Sequence, residues 1–327
     1  MKDKVGLGTF PLASVFGKVL YSQAQEIVKA FIENGGYYID TAPLYGFGEI
    51  EKLLGKVLKK YPREKYYLAT KCGYINVEGK TFQTVQKSGQ YDDVIKECDR
   101  SLQRLNVDYI DLYFVHSPDP KTPFPETMKA LVKLKTQGKI KEIGVSNVNL
   151  KELKEYNKNG EVRYIQNRFS LINRSINGEF KSYLLKHDIK LIPYHLLEIG
   201  QLSSKIFRDF NLGPKDLRKT LAYWKEEKLK VVISWIKENL DSIASKLDVS
   251  IEQLVIAWAL CQEFIDFVIV GATNKKQVVK NLKADSIKLS SSMLKQIDDS
   301  YKELKKEIKE KFGQTVREFR GLNEKFY

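Results

Sequence analysis

Short apolar runs rich in β-branched and aromatic residues alternate along this chain with longer stretches whose apolar positions recur three and four apart. The runs at Val5–Phe10, Tyr37–Ala42, Tyr66–Lys71, Tyr109–His116, Lys141–Ser146, Tyr164–Phe169, Lys190–Tyr194 and Phe267–Val270 predict strands. Ser22–Asn34 and Tyr91–Leu105 place their apolar residues on one face at helical spacing and predict amphipathic helices. Gly35-Gly36 closes the first of these, because glycine takes the left-handed cap conformation without a steric penalty. Ser146-Asn147 offers cap residues for the helix after the fifth strand.

Eight strands, each followed by a helical or loop segment, call for parallel pairing with crossover helices, and eight such units close into an α/β (β/α)₈ TIM barrel. An open doubly wound sheet is the competing layout. It would usually carry a glycine-rich phosphate loop that opens a helix after its first strand, whereas Gly6-Leu7-Gly8-Thr9-Phe10-Pro11 opens none and lacks the third glycine. Two regions depart from the repeat. Residues 209–240, after strand seven, form a charged insertion rich in helix formers that carries Trp224 and Trp235. Residues 294–327 form a charged tail in which Phe312, Val316, Phe319, Leu322 and Phe326 recur at near-helical spacing, as expected of a segment packed on a barrel face. No low-complexity linker interrupts the chain, so residues 1–327 read as one barrel domain with an insertion and an extension.

Composition narrows the class. At 43% hydrophobic content over 327 residues there is material for a large core, which excludes a disordered chain. No run of about 18 apolar residues exists to span a membrane, and MKDKVGLGTF lacks the apolar middle of a secretory signal. Cys72, Cys98 and Cys261 form no CxxC pair, so a reduced, cytoplasmic protein without a structural metal is expected. The net charge of +14 is spread over lysines such as Lys59, Lys60, Lys225, Lys228 and Lys230, and lysine far outnumbers arginine. That pattern predicts a solvated basic surface and neither a nucleic-acid nor a membrane partner.

In a barrel, reactive groups gather at the carboxyl ends of the strands. Those ends carry Asp40 after strand two with Tyr45 in the following loop, Lys71 after strand three and His116 after strand four. Singly, each has a structural explanation: a turn cap, a packing aromatic, a surface lysine, a buried hydrogen-bonded imidazole. At successive strand ends they make a chemical set. A phenol titrates near 10 and is a poor acid toward a carbonyl; a neighbouring ammonium lowers that pKa, and a buried carboxylate holds the ammonium charged. Protonation alone reduces nothing, so such a site needs a hydride source, for which a nicotinamide is the economical choice.

The stretch Asn34-Gly35-Gly36-Tyr37-Tyr38-Ile39-Asp40-Thr41-Ala42-Pro43-Leu44-Tyr45-Gly46, continuing to Glu51 and Leu54-Gly55, resembles the most specific signature of the aldo-keto reductase superfamily. Ala69-Thr70-Lys71, Phe114-Val115-His116, Gly144-Val145-Ser146-Asn147, Ile165-Gln166-Asn167 and Val268–Thr273 are similar to its later motifs, in order, from about Val5 to Leu282. The resemblance implies that Asp40, Tyr45, Lys71 and His116 are the catalytic tetrad, with Tyr45 the general acid in reduction and the base in oxidation. It implies that Ser146, Asn147 and Gln166 hold the nicotinamide carboxamide, that Tyr194 stacks on the ring and that Thr9 lies near that end. It places Gly271, Thr273, Gln277 and Asn281 in the segment that binds the adenosine half.

Three departures matter. After strand seven, Tyr194-His195-Leu196-Leu197-Glu198 replaces a Tyr-Ser-Pro-Leu-Gly-like run, and a carboxylate at Glu198 would repel a pyrophosphate unless it points away. Thr273 stands where several relatives carry a base for the 2′-phosphate of NADPH; Lys275 and Lys276 are the compensating cations, which favours NADP(H) over NAD(H). The hairpin with which relatives plug the barrel floor is missing, and the tail is expected to cover part of that floor. The expected activity is an NAD(P)(H)-dependent oxidoreductase that interconverts an aldehyde or ketone, including a sugar or sugar-derived substrate, with its alcohol. The competing expectation is a cofactor-binding regulatory or partner-binding subunit of the same fold. Neither the substrate nor the oligomeric state is written in the sequence.

Overall fold

Eight parallel strands form a single sheet in the order β8-β1-β2-β3-β4-β5-β6-β7. They are β1 (Val5–Gly8), β2 (Tyr38–Asp40), β3 (Tyr67–Cys72), β4 (Ile110–Val115), β5 (Ile140–Ser146), β6 (Val162–Gln166), β7 (Lys190–Leu191) and β8 (Val268–Gly271). The sheet curls until its edges meet: Leu191 bridges Ile265, and the amide of Ile269 donates to Pro193 O at 3.3 Å. All eight predicted strands are present. The seventh is regular only over Lys190–Leu191, although the amides of Ile192 and Tyr194 still donate to Ile165 O at 2.8 Å and Asn167 O at 3.2 Å on the sixth strand's side. The computed structural model describes residues 3–75, 84–207, 212 and 216–321; Asp209, Leu322 and Phe326 of the predicted insertion and tail lie outside them.

The crossover helices form for the reasons the sequence suggests. In α1 (Tyr21–Glu33), Ala24, Ile27, Val28 and Phe31 share the buried face, and Gly35 follows in the left-handed region at φ 89°. In α2 (Glu49–Leu58), Leu53, Leu54, Val57 and Leu58 are buried, each such side chain contributing about 1.5–3 kcal/mol of burial free energy. Inside the barrel, large side chains are matched by missing ones. A Cβ on Gly6 would sit 2.4 Å from Tyr38 Cδ1, and one on Gly144 would sit 2.3 Å from Phe114 Cδ1, so glycine at these positions admits the neighbouring ring. The cap after β5 differs from expectation. Asn149, not Ser146 or Asn147, accepts from the amide of Glu152 in a reciprocal capping box and starts α3 (Leu150–Tyr156), which leaves Ser146 and Asn147 outside the helix.

The amino-terminal end of the barrel is closed by its own aromatic residues. Tyr38 stacks on Phe267 at 4.8 Å, Tyr67 lies 5.9 Å from both rings, and the Tyr164 hydroxyl donates to Asp266. Among the described residues the tail supplies none of these rings. It forms α5 (Ser291–Phe312) and α6 (Val316–Phe319), which run beside the insertion helix α4 (Glu226–Trp235): Trp235 Nε1 donates to Ser300 O at 3.0 Å and Lys228 Nζ to Phe319 O at 2.7 Å. From there the described part of the tail reaches the loop that follows β7, at the carboxyl end of the barrel and away from the floor it was expected to cover. Among the described residues no helix is long and apolar enough to cross a membrane.

Candidate active site

The loop after β2 makes a tight turn in which Gly46, Phe47 and Gly48 are successively left-handed (φ 60°, 53° and 93°). Two glycines permit what only one side chain must endure, and the amide of Gly48 closes the turn on Pro43 O at 2.7 Å. The turn carries Tyr45 back over the barrel mouth. There its hydroxyl lies 3.2 Å from Lys71 Nζ, which also donates to Asp40 Oδ1 at 2.8 Å and Thr41 O at 2.7 Å. The Lys71 side chain is fully buried and that of Asp40 nearly so. Burial pulls the lysine pKa below its ordinary value, while the Asp40 carboxylate opposes that shift and favours the ammonium. His116 presents its ring edge-on to Tyr45, with centroids 6.0 Å apart. The structure thus brings all four sequence-predicted residues of the acid–base set together.

A second set adjoins them. Gln166 donates to Asp40 Oδ2 at 2.8 Å, Ser146 Oγ to Gln166 O at 2.6 Å, and Asn147 Nδ2 to Ser146 Oγ and His116 O. The Tyr194 hydroxyl closes the chain on Asn147 Oδ1 at 2.5 Å. Each member is oriented by the next, which gives one wall of polar side chains tied to the tetrad. Thr9 sits elsewhere: its hydroxyl is fully buried and donates to Asp40 O, and its neighbours Gly8 and Phe10 face the open space.

That space is a cleft of about 580 Å³ that runs from Tyr45 and His116, past Tyr194, to Thr273, Gln277 and Asn281. Its size and its apolar walls with a few convergent polar groups suit an organic ligand. Gly271 and Lys276 also face it; Lys275 does not. At the far end Gln277 Oε1 accepts from the amide and hydroxyl of Thr273, whose carbonyl accepts from Gln23. Glu198 is turned out of the cleft and accepts from Ser170 and Arg320, so no carboxylate faces the middle of the cleft at that position. The sequence reading gave Phe10 only as part of the Val5–Phe10 and Gly6–Pro11 stretches and missed Phe16 at the mouth and Ser203, Ser204 and Glu252 toward the far end, none of which sits in a motif.

Burial, reinforced by the ammonium groups of Lys71 and Lys87, holds the His116 imidazole well below its usual pKa, so it is neutral at pH 7. His195 is shifted the same way by burial, Arg168 and Arg320. The unfolded chain binds these protons near pH 6.5 and the folded chain does not, so stability falls as pH drops below about 6.5. For His116 the slope is about 1.4 kcal/mol per pH unit. Urea unfolding of wild type and His116→Gln between pH 7 and 5 should show a shallower fall in the variant; identical slopes would contradict the neutral imidazole.

A family model described as the aldo/keto reductase family matches residues 4–302. The chain is 35% identical over 263 residues to the NADH-specific methylglyoxal reductase of Escherichia coli, covering 78% of this chain and 80% of that protein. It is 30% identical over 279 residues to an aldo-keto reductase of Bacillus subtilis, 84% of this chain and 83% of the relative. The solved glycerol dehydrogenase of Gluconobacter oxydans superposes with a TM-score of 0.83 at 27% identity, over 95% of this chain and 93% of that one.

Proposed function

This chain belongs to the aldo/keto reductase family, and on that footing we propose that it reduces small aldehydes and ketones, and oxidises the matching alcohols, with Tyr45 as the proton carrier. The observation that carries the reading is the buried Lys71 ammonium held between Asp40 and the Tyr45 hydroxyl at the end of a long cleft. An ammonium 3.2 Å from a phenol favours the phenolate, so it eases proton donation to a substrate oxygen and steadies the oxygen left behind. Asp40 keeps the ammonium charged in a site that would otherwise neutralise it. Neutral His116, beside Tyr45, orients the carbonyl oxygen at the mouth.

The donor set fits a nicotinamide dinucleotide. Ser146, Asn147 and Gln166 are suited to a carboxamide, Tyr194 to one face of the ring, and Gly271, Thr273, Gln277 and Asn281 to the adenosine half. A bound nicotinamide supplies the hydride. Lys276 and Lys280 line the far end against a single carboxylate, Glu252, which lies 3.5 Å from Lys280. This balance of charge supports NADPH over NADH, with Lys276 as a lining cation not paired to Glu252, although the Escherichia coli relative is named for NADH.

Titrating the protein with NADPH and NADH by nicotinamide fluorescence tests both claims. NADPH should bind more tightly, and Lys276→Met should lower that preference by about tenfold, the loss of one charge-assisted contact. Equal affinities in the wild type would reject the NADPH preference, and no binding of either would reject the enzyme reading. Addition of aldehydes, ketones and aldoses should then produce turnover; binding without turnover of any carbonyl would favour a regulatory subunit. The aromatic rim of Phe10 and Phe16 predicts that apolar aldehydes outrank aldoses.

A further inference from the structure

The turn from His195 to Gly200 is the most strained segment among the described residues. His195, Glu198 and Ile199 have φ of 56°, 49° and 57°, all left-handed, and Gly200 has 102°. For a β-branched residue such as Ile199 that conformation is an outlier, and it persists only where the surroundings over-determine it. The inner side of the turn forms cleft wall through Leu196, Leu197, Ile199 and Gly200. Its outer side meets a residue from near the other end of the described chain.

That residue is Arg320, the cap of α6, 1% exposed. Its guanidinium donates to the Glu198 carboxylate and, at 2.5 Å, to Gln201 Oε1, and it stacks 3.8 Å over the Tyr223 ring. Gln201 in turn donates to Tyr223 O at 2.7 Å, and the Glu198 carboxylate is also held by Ser170. Lys228 pins the preceding carbonyl, Phe319 O, at 2.7 Å. The planar fork therefore ties the turn, the insertion and the tail at one buried point, a geometry that lysine cannot reproduce.

We propose that Arg320 is a positioning residue for the dinucleotide: by gripping Glu198 and Gln201 from behind, it holds the strained turn as cleft wall and keeps the Glu198 carboxylate out of the cleft. The inference rests on the reading that the cleft takes a nicotinamide dinucleotide. Without Arg320 the Glu198 carboxylate loses its cationic partner beside a site meant for an anionic ligand, and the turn loses the contacts that enforce its conformation. Cofactor affinity and docking of the tail are then linked, and the linkage is reciprocal.

The test compares wild type, Arg320→Met, Arg320→Lys and the double variant Glu198→Met/Arg320→Met. Dissociation constants for NADPH and NADH come from fluorescence, and kcat is measured at saturating cofactor. Arg320→Met should raise the dissociation constant at least tenfold with kcat within about twofold. Arg320→Lys should recover only part of the affinity, and the double variant, with no buried charge left unpaired but without the grip on the turn, should fall between Arg320→Met and wild type. An unchanged dissociation constant in Arg320→Met, or an equal loss in kcat and affinity, would overturn the proposal. Should Arg320→Met fail to fold, amide exchange of the unmodified protein decides: NADPH should slow exchange at residues 195–201 and 316–321 together, and protection of the first alone would overturn it. Failure of the wild type to bind either dinucleotide would instead remove the underlying reading.

Discussion

Tyr45→Phe should lower kcat for carbonyl reduction by about a thousandfold while leaving the dissociation constant for the dinucleotide within about twofold. A loss of that size corresponds to about 4 kcal/mol of transition-state stabilisation, the range assigned to a positioned proton donor. The substitution removes one oxygen. The ring contacts with Phe10 at 5.1 Å and His116 at 6.0 Å remain available to phenylalanine, and Lys71 keeps its bonds to Asp40 and Thr41. Steady-state rates on a reactive aldehyde and fluorescence titration of the same preparation give both numbers. Turnover within tenfold of wild type would show that the proton comes from another group.

Lys71→Met should be nearly as damaging to turnover and, unlike the first change, should also weaken the fold. The methionine fills the volume but leaves Asp40 as a buried carboxylate with Gln166 as its remaining side-chain donor among the described residues. Removal of one partner of a buried ion pair costs about 3–5 kcal/mol, because the surviving charge is left without compensation. Adding Asp40→Asn should restore most of that stability, since a neutral amide can accept from Gln166, yet should not restore turnover. Urea unfolding and kcat for the two singles and the double separate the effects. A single Lys71→Met as stable as wild type, or a double variant that regains activity, would contradict the assigned arrangement.

The parts of the molecule legible in the sequence are those in which the signal is local. A barrel strand is a short apolar run, and its carboxyl end is the next residue along, so Asp40, Lys71 and His116 could be placed before any coordinates; Tyr45 follows because the Tyr45-Gly46-Phe47-Gly48 turn is itself local. Where several residues could play one part, local pattern misled: Ser146 and Asn147 read as the cap, and the reciprocal bond with Glu152 places it at Asn149 instead. Contacts between distant positions left no trace. Glu198 and Arg320 are 122 residues apart, and nothing near Glu198 reveals that its carboxylate is answered from the last turn of the tail. Ser203, Ser204 and Glu252 are in the same position: ordinary residues in ordinary contexts that become cleft wall only once insertion and barrel are packed.

The stack of Tyr38, Tyr67 and Phe267 across the lower barrel bears on traffic through the site. With the axis filled beneath Asp40 and Lys71, the reacting centre has no back entrance from that side. If Tyr45 carries the proton as proposed, a proton it loses in one cycle would have to return from the rim, through the same doorway used by incoming aldehyde and outgoing alcohol. Substrates that fit the rim tightly would therefore also block the path by which the enzyme recharges itself, and bulk at that doorway would slow two processes at once.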